Sequence, residues 1–112
     1  MIENRKKRRY ELRLPVELVR AGRQQICNRG ETRNVSTGGV LFTSDAAVNI
    51  GQPIEYLISL PPAPNSEVRV RLRCQGTVLR LEESPAGKYE NGPGSIRVAA
   101  TMERYEFIRS KP

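Results

Sequence analysis

The eight residues Val68-Arg69-Val70-Arg71-Leu72-Arg73-Cys74-Gln75 alternate apolar and polar side chains without interruption. Successive side chains of a β-strand point to opposite faces, so this stretch predicts a strand with one buried and one solvated face. The same alternation recurs over Leu12–Leu18, Ile54–Leu60 and Ile96–Met102. The sequence therefore predicts a fold built from half-buried strands.

Two shorter runs, 31–35 and 39–43, flank Ser36-Thr37-Gly38-Gly39 and predict two more strands joined by a turn. Segments rich in glycine, proline, asparagine or serine separate all of these runs. About six strands without a convincing amphipathic helix indicate an all-β antiparallel barrel or sandwich. Residues 103–109 are compatible with a short C-terminal helix packed on it. We expect one domain over residues 1–112, with a flexible basic tail over 1–8 and the barrel and C-terminal tail over 9–109.

The amino-acid composition already excludes several kinds of catalytic and metal-binding site. The chain has 112 residues, a formal net charge of +7 and no histidine. Without histidine, a Ser-His-Asp or Cys-His relay and histidine metal ligands are excluded. No apolar run approaches the ~20 residues of a membrane-spanning helix. We expect a cytoplasmic protein that is not an enzyme and needs no cofactor or metal. Its charge favours an anionic partner such as a nucleotide, nucleic acid or an acidic surface.

The two cysteines, Cys27 and Cys74, stand far apart and form no CxxC pair. A zinc site needs about four ligands, so these residues are interpreted as buried thiols of a reducing compartment.

The first candidate site is the basic cluster Arg5-Lys6-Lys7-Arg8-Arg9, which continues to Arg13 through Tyr10-Glu11-Leu12. A guanidinium group can bind a phosphate with two hydrogen bonds, bind the O6/N7 edge of guanine, or stack on a base. A basic tail that leads into a strand is therefore a candidate clamp for a guanine nucleotide. The plain alternative is a solvated tail that aids solubility.

The second candidate site is Asn34-Val35-Ser36-Thr37-Gly38-Gly39, between two predicted strands. Asn34 and Ser36 are two positions apart, so both side chains leave one face of a strand. The adjacent glycines allow a positive φ or a close approach of a ligand to the backbone. The plain alternative is a hairpin whose turn is closed by an asparagine or serine side chain.

In this order and spacing, the two segments resemble the motifs of the PilZ domain family. Arg9–Val16 is similar to the family's RxxxR motif and first strand, and Asn34–Gly39 is similar to its (D/N)xSxxG motif. Residues 76–80 resemble a later strand of the family, and residues 96–107 resemble its closing strand and short tail. The resemblance implies a six-stranded antiparallel Greek-key barrel that binds the bacterial second messenger cyclic di-GMP. We expect a receptor of this kind to signal to a protein partner in trans.

The resemblance also implies a role for each matching residue. Arg9 and Arg13 would grip phosphate and guanine, Asn34 and Ser36 would hydrogen-bond the nucleotide, and Gly39 would keep the turn tight beneath it. The chain has asparagine where the family more often has aspartate. An amide lacks the charge of a carboxylate, so we expect a lower affinity for the guanine N–H edge.

The register of the first motif has two solutions, because Arg5 and Arg9 also stand four residues apart. The pair Arg9 and Arg13 is preferred, since Leu14-Pro15-Val16 follows Arg13 directly, as the first strand does in the family. The preceding residue is then Arg8, which in the family accompanies an intercalated pair of ligands. We therefore expect two ligand molecules per protomer, with Arg8 as a binding residue.

Two alternative functions remain open at this point. A basic β-barrel also suits single-stranded nucleic acid, but such grooves usually carry exposed aromatic residues, and this chain has only four tyrosines and two phenylalanines. A barrel of the same fold that has lost its ligand would act through protein contacts alone. The row Arg69, Arg71 and Arg73 is interpreted as a solvated face, with a docking patch for an acidic partner as its alternative.

Overall fold

The computed structural model describes residues 12–45, 48–62, 64–65, 67–83 and 96–110. These residues form seven strands: β1 (Pro15–Ala21), β2 (Gln24–Ser36), β3 (Gly39–Ser44), β4 (Pro53–Ser59), β5 (Arg69–Glu83), β6 (Ile96–Thr101) and β7 (Arg104–Ser110). The strand order is β4-β1-β2-β3-β6-β5-β7, and β4 also pairs with β5, which closes six strands into a barrel. All pairings are antiparallel, and the order β4-β1-β2-β3 is a Greek key. The predicted fold class is confirmed.

The core consists of the apolar positions of the alternating runs. Phe42 and Tyr56 are fully buried at its centre, with ring centroids 5.5 Å apart. The Tyr56 hydroxyl donates a hydrogen bond to the Thr101 carbonyl oxygen at 2.9 Å, which satisfies its polar atom inside the barrel. Around this pair pack eleven smaller buried side chains among the described residues: Val16, Leu18, Ala21, Val40, Val48, Ile54, Ile58, Cys74, Val78, Val98 and Ala100.

The two long strands change partners at a glycine. β2 pairs with β1 up to Glu31 and with β3 from Thr32 onward, and β5 passes from β4 to β6 near residue 77. A Cβ atom on Gly30 would lie 1.8 Å from the Thr43 carbonyl oxygen, and one on Gly76 would lie 1.8 Å from the Thr101 oxygen. Only glycine admits so close a backbone, so these residues let the long strands bend and close the barrel.

The prediction of a C-terminal helix over residues 103–109 is wrong. Residues 104–110 form β7, which pairs with the first half of β5 from Arg69↔Ser110 to Gln75↔Arg104. β6 occupies the same edge of β5 only from Val78 onward, so the backbone groups of residues 69–75 are left for β7. Nothing in the described ranges forms a transmembrane helix.

Two strand limits also differ from the sequence pattern. The first strand starts at Pro15 rather than Leu12, and the predicted strands around 68–75 and 76–80 are one continuous strand, β5. On β5, Arg73 is exposed and also forms an ion pair. Its Nε donates to the carboxylate of Glu55, a residue only 7% exposed, and Arg20 lies 4.0 Å from the same carboxylate.

Candidate ligand-binding face

The turn between β2 and β3 presents two polar side chains on the outside of the barrel. Val35 pairs with Val40, a core residue, and itself packs against the core. Its neighbours Asn34 and Ser36 therefore leave the opposite, outer face of β2. They pair with Leu41 and Gly39 of β3. The outer face of β2, β3 and β6 around these four residues is here called the binding face.

The turn is held by short-range hydrogen bonds and by backbone contact with β6. The Ser36 hydroxyl accepts from the Gly38 N–H and donates to the Gly39 carbonyl, both at 3.3 Å. The Met102 N–H donates to the Gly38 carbonyl at 3.3 Å. A Cβ on Gly39 would lie 2.7 Å from the Ala100 carbonyl oxygen. Gly39 is therefore needed for close backbone approach, and its φ is not positive.

Residues 12–14, here called the lead-in segment, reach this face through a buried threonine. The Thr32 side chain is fully buried; its hydroxyl accepts from the Leu14 N–H at 2.8 Å and donates to the Leu12 carbonyl. The Thr32 N–H in turn donates to the Leu14 carbonyl at 2.9 Å. Both neighbours of Arg13 are thus fixed to β2, while the Arg13 side chain is exposed.

The register of β1 with β2 then positions Arg13 beside the second motif. Pro15 pairs with Glu31, and each step back along β1 advances one residue along β2. Continued for two residues, this register sets Arg13 across from Arg33, which directly precedes Asn34. The pairing of β2 with β3 shifts between Thr32 and Asn34, so Arg33 is the extra residue of a bulge.

Two arginines near this motif have a buried nitrogen without an acceptor. Across the described ranges, the buried side-chain nitrogen and oxygen atoms that lack a hydrogen-bond partner are Nε of Arg33 and Nε of Arg97. Arg97 lies on β6, where it pairs with Thr43 of β3, two residues along from Leu41. An unsatisfied buried donor costs about 1–3 kcal/mol, and more when it is charged. The outer face of β2, β3 and β6 therefore combines amide, hydroxyl and guanidinium donors.

The structure brings four of the six predicted site residues to one region: Arg13, Asn34, Ser36 and Gly39. Arg8 and Arg9, like Arg5, lie outside the described residues. Sequence reasoning missed Thr32, Arg33 and Arg97. Thr32 could have been recognised in the sequence as a polar residue at a core-facing position of an alternating run. The bulge at Arg33 has no local signature in the sequence.

Neither cysteine is an activated thiol. Cys74 is fully buried, and burial raises the pKa of its thiol to about 12, although a hydrogen bond with Tyr56 opposes the shift. Cys27 is exposed, so the prediction that both thiols are buried is wrong for this residue. Its Sγ donates to Glu17 Oε2 at 3.2 Å, and this hydrogen bond, followed by the carboxylate's charge, raises the pKa of Cys27. Thiolate chemistry at neutral pH is disfavoured at both positions.

A cleft of about 800 Å³ lies at a different place, where β1 and β5 begin and β4 ends. Its walls include Leu14, Leu60, Val70 and Arg71. Arg13, Asn34 and Ser36 do not line it, so cleft volume alone does not identify the face described above.

Comparison with known protein families gives a match over most of the chain. The family model described as the PilZ domain matches residues 3–101, which is nearly the whole chain. No curated protein and no solved structure matched.

Proposed function

Because the chain belongs to the PilZ domain family, a cyclic di-GMP-binding domain family, we propose that it is a non-catalytic receptor for cyclic di-GMP. The ligand binds the outer face of β2 and β3 through Arg9, Arg13, Asn34, Ser36 and Gly39. The receptor acts in the bacterial cytoplasm on a protein partner in trans.

The observation that carries this proposal is the anchoring of the lead-in segment on Thr32. Residues 13 and 34 are distant in sequence, yet the hydrogen bonds of Leu12 and Leu14 to Thr32 hold the backbone on both sides of Arg13 against β2, the strand that carries Asn34. The backbone around Arg13 is therefore ordered before ligand binds. Binding then avoids an ordering cost of about 1–2 kcal/mol for each of these residues.

The chemistry of the face suits a guanine-bearing diester. Arg13 offers a planar fork of donors to phosphate or to the O6/N7 edge of guanine. Asn34 has both donors and an acceptor, and no hydrogen bond to another described residue engages its side chain. The Ser36 hydroxyl is already used within the turn, so its first role is to fix the loop. We propose that Asn34 contacts the nucleotide while Ser36 and Gly39 shape its support.

Calorimetric titration with cyclic di-GMP tests the proposal. We expect saturable binding that Arg13→Ala weakens by about tenfold or more, which corresponds to 1.4 kcal/mol, and that Asn34→Ala also weakens. Arg71→Ala, which removes the same charge from the outer face of β5, is the matched control and should bind like the wild type. With Arg8 beside the first motif, we expect two ligand molecules per protomer. Wild-type protein that gives no binding heat would exclude the receptor function.

One feature favours a second candidate, binding of single-stranded nucleic acid. Tyr105 and Phe107 on β7 are each 60% exposed, their rings meet edge to face at 6.2 Å, and the same strand carries Arg104 and Arg109. Exposed aromatic rings next to cations are the usual stacking platform for unpaired bases. A short oligonucleotide in the same titration separates the two functions, because nucleic-acid binding would fall steeply with salt and would not depend on Asn34. If neither ligand binds, a scaffold that acts through protein contacts is favoured.

A further inference from the structure

The two unpaired guanidinium nitrogens, Nε of Arg33 and Nε of Arg97, belong to residues close to the Asn34–Leu41 pair. Arg33 directly precedes Asn34 in the bulge of β2. On the other side, Leu41 pairs with Ala99 of β6, and Arg97 is two residues further along the same strand. With ~4.8 Å between strands and ~3.4 Å per residue, the Cα atoms of Asn34 and Arg97 are roughly 12 Å apart.

Neighbouring carboxylates do not account for either guanidinium group. The ion pairs among the described residues include none with Arg13, Arg33 or Arg97. Arg97 is opposite Glu82 of β5, but the Glu82 carboxylate accepts from Arg80 Nε at 2.7 Å. Continuation of the β1–β2 register by two residues places another cation, Arg13, across from Arg33. Two like charges on neighbouring chain segments favour the arrival of an anion.

Buried donors without an acceptor are rare in folded proteins, and each calls for a physical reason. In this chain both described cases flank the same outer face, although the rest of the barrel satisfies its buried side-chain polar atoms among the described residues. We infer that Arg33 and Arg97 are ligand-binding residues outside the two sequence motifs. The inference rests on the proposed function.

The position of each arginine indicates what it binds. Arg33, beside Arg13, adds a second cation at one place and therefore takes a phosphodiester group. Arg97 and Ala99 alternate with the core residue Val98, so both leave the outer face of β6, where Ala99 pairs with Leu41 of β3. There the planar guanidinium group takes a guanine, by its O6/N7 edge or by stacking.

Titration of single variants with cyclic di-GMP tests the inference. Arg33→Ala and Arg97→Ala should each weaken binding by about tenfold or more. Arg97→Lys keeps the charge without the planar fork and should stay within a few fold of Arg97→Ala, since a point charge does not replace bidentate or stacking contact. Arg71→Ala is the matched control for loss of one positive charge and should stay within twofold of the wild type.

A measurement on the wild-type protein covers the case in which a variant does not fold. The Nε–Hε signals of Arg33 and Arg97 in a ¹⁵N correlation spectrum should shift when cyclic di-GMP is added, and those of Arg69 and Arg71 should not. If both signals stay in place and both alanine variants bind like Arg71→Ala, the inference is overturned, while a weakened Arg13→Ala preserves the proposed function. If the wild type does not bind at all, both are rejected.

Discussion

At the scale of single residues, Thr32 determines how the start of the chain meets the barrel. Its side chain is fully buried, yet its hydroxyl group makes two hydrogen bonds to the backbone of the lead-in segment. A buried hydroxyl is tolerated only when its hydrogen bonds are satisfied, and here the backbone of residues 12 and 14 satisfies them. The position of Arg13 is thus a consequence of one polar atom in the core.

Replacement of this hydroxyl should release the lead-in segment. Thr32→Val keeps the shape of the side chain but leaves the Leu14 N–H without its acceptor, so we expect a loss of about 1–3 kcal/mol in the free energy of unfolding. Urea denaturation measures the loss, and hydrogen exchange at the Leu14 amide should accelerate. Thr37→Val, at an exposed turn position, is the control and should change stability by less than about 0.5 kcal/mol. Unchanged protection of the Leu14 amide in Thr32→Val would contradict this assignment.

At the scale of elements, the junction between β6 and β7 connects the candidate site to the rest of the sheet. The Thr101 hydroxyl accepts from the Thr77 N–H at 2.8 Å and donates to the Glu103 carboxylate at 2.7 Å. The Thr77 hydroxyl donates to the same carboxylate at 2.8 Å. These hydrogen bonds, that of Thr101 first, lower the pKa of Glu103 below its ordinary value of 4.5. The ionised carboxylate therefore fixes the point where β6 gives way to β7.

This junction should make stability sensitive to acid. A carboxyl group whose pKa is lower in the folded state stabilises the fold fully above its unfolded pKa, and that contribution is lost as the pH falls through the folded pKa. We expect wild-type stability to fall below pH 4.5, and to fall less in Glu103→Gln, in which the side chain does not titrate. Urea denaturation at several pH values between about 6 and about 3 measures this difference in stability between the wild type and Glu103→Gln.

An NMR titration tests the lowered pKa directly at the Glu103 carboxyl group. The Glu103 carboxyl carbon should titrate below 4.5 in the wild type, and closer to the ordinary value in Thr77→Val, which lacks one hydroxyl donor. A carboxyl group that titrates at 4.5 in both proteins would show that these hydrogen bonds do not form in solution.

At the scale of the whole molecule, closure of the barrel buries the inner faces of its strands and leaves the binding face on the outside. Six strands satisfy each other's backbone groups around one core, and the outer face of β2, β3 and β6 carries the amide and guanidinium groups described above. A ligand on this face would contact side chains from β2 and β3, which are consecutive in the chain, and from β6, which is distant in sequence. Binding should therefore stabilise the fold as a unit, since a ligand that binds only the folded state shifts the unfolding equilibrium.

This linkage predicts a thermal shift. At a free cyclic di-GMP concentration of about 100 times the dissociation constant, one site adds about 2.7 kcal/mol to the free energy of unfolding. For a domain of this size that corresponds to a rise in Tm of roughly 10 °C, measurable by circular dichroism. GTP at the same concentration is the control and should leave Tm unchanged. An equal rise with GTP would indicate general anion binding rather than recognition of the cyclic dinucleotide.

The sequence predicted β1 to β6, the core-facing positions of these strands and the two candidate motifs, because side-chain alternation and motif spacing are properties of neighbouring residues. It did not predict that residues 104–110 form a strand, since that depends on which part of the β5 edge is left unoccupied by β6. Nor did it indicate the exposure of Cys27, the anchoring role of Thr32 or the unpaired nitrogens of Arg33 and Arg97. Those features arise where residues far apart in the chain meet, and only the closed barrel sets which groups find partners.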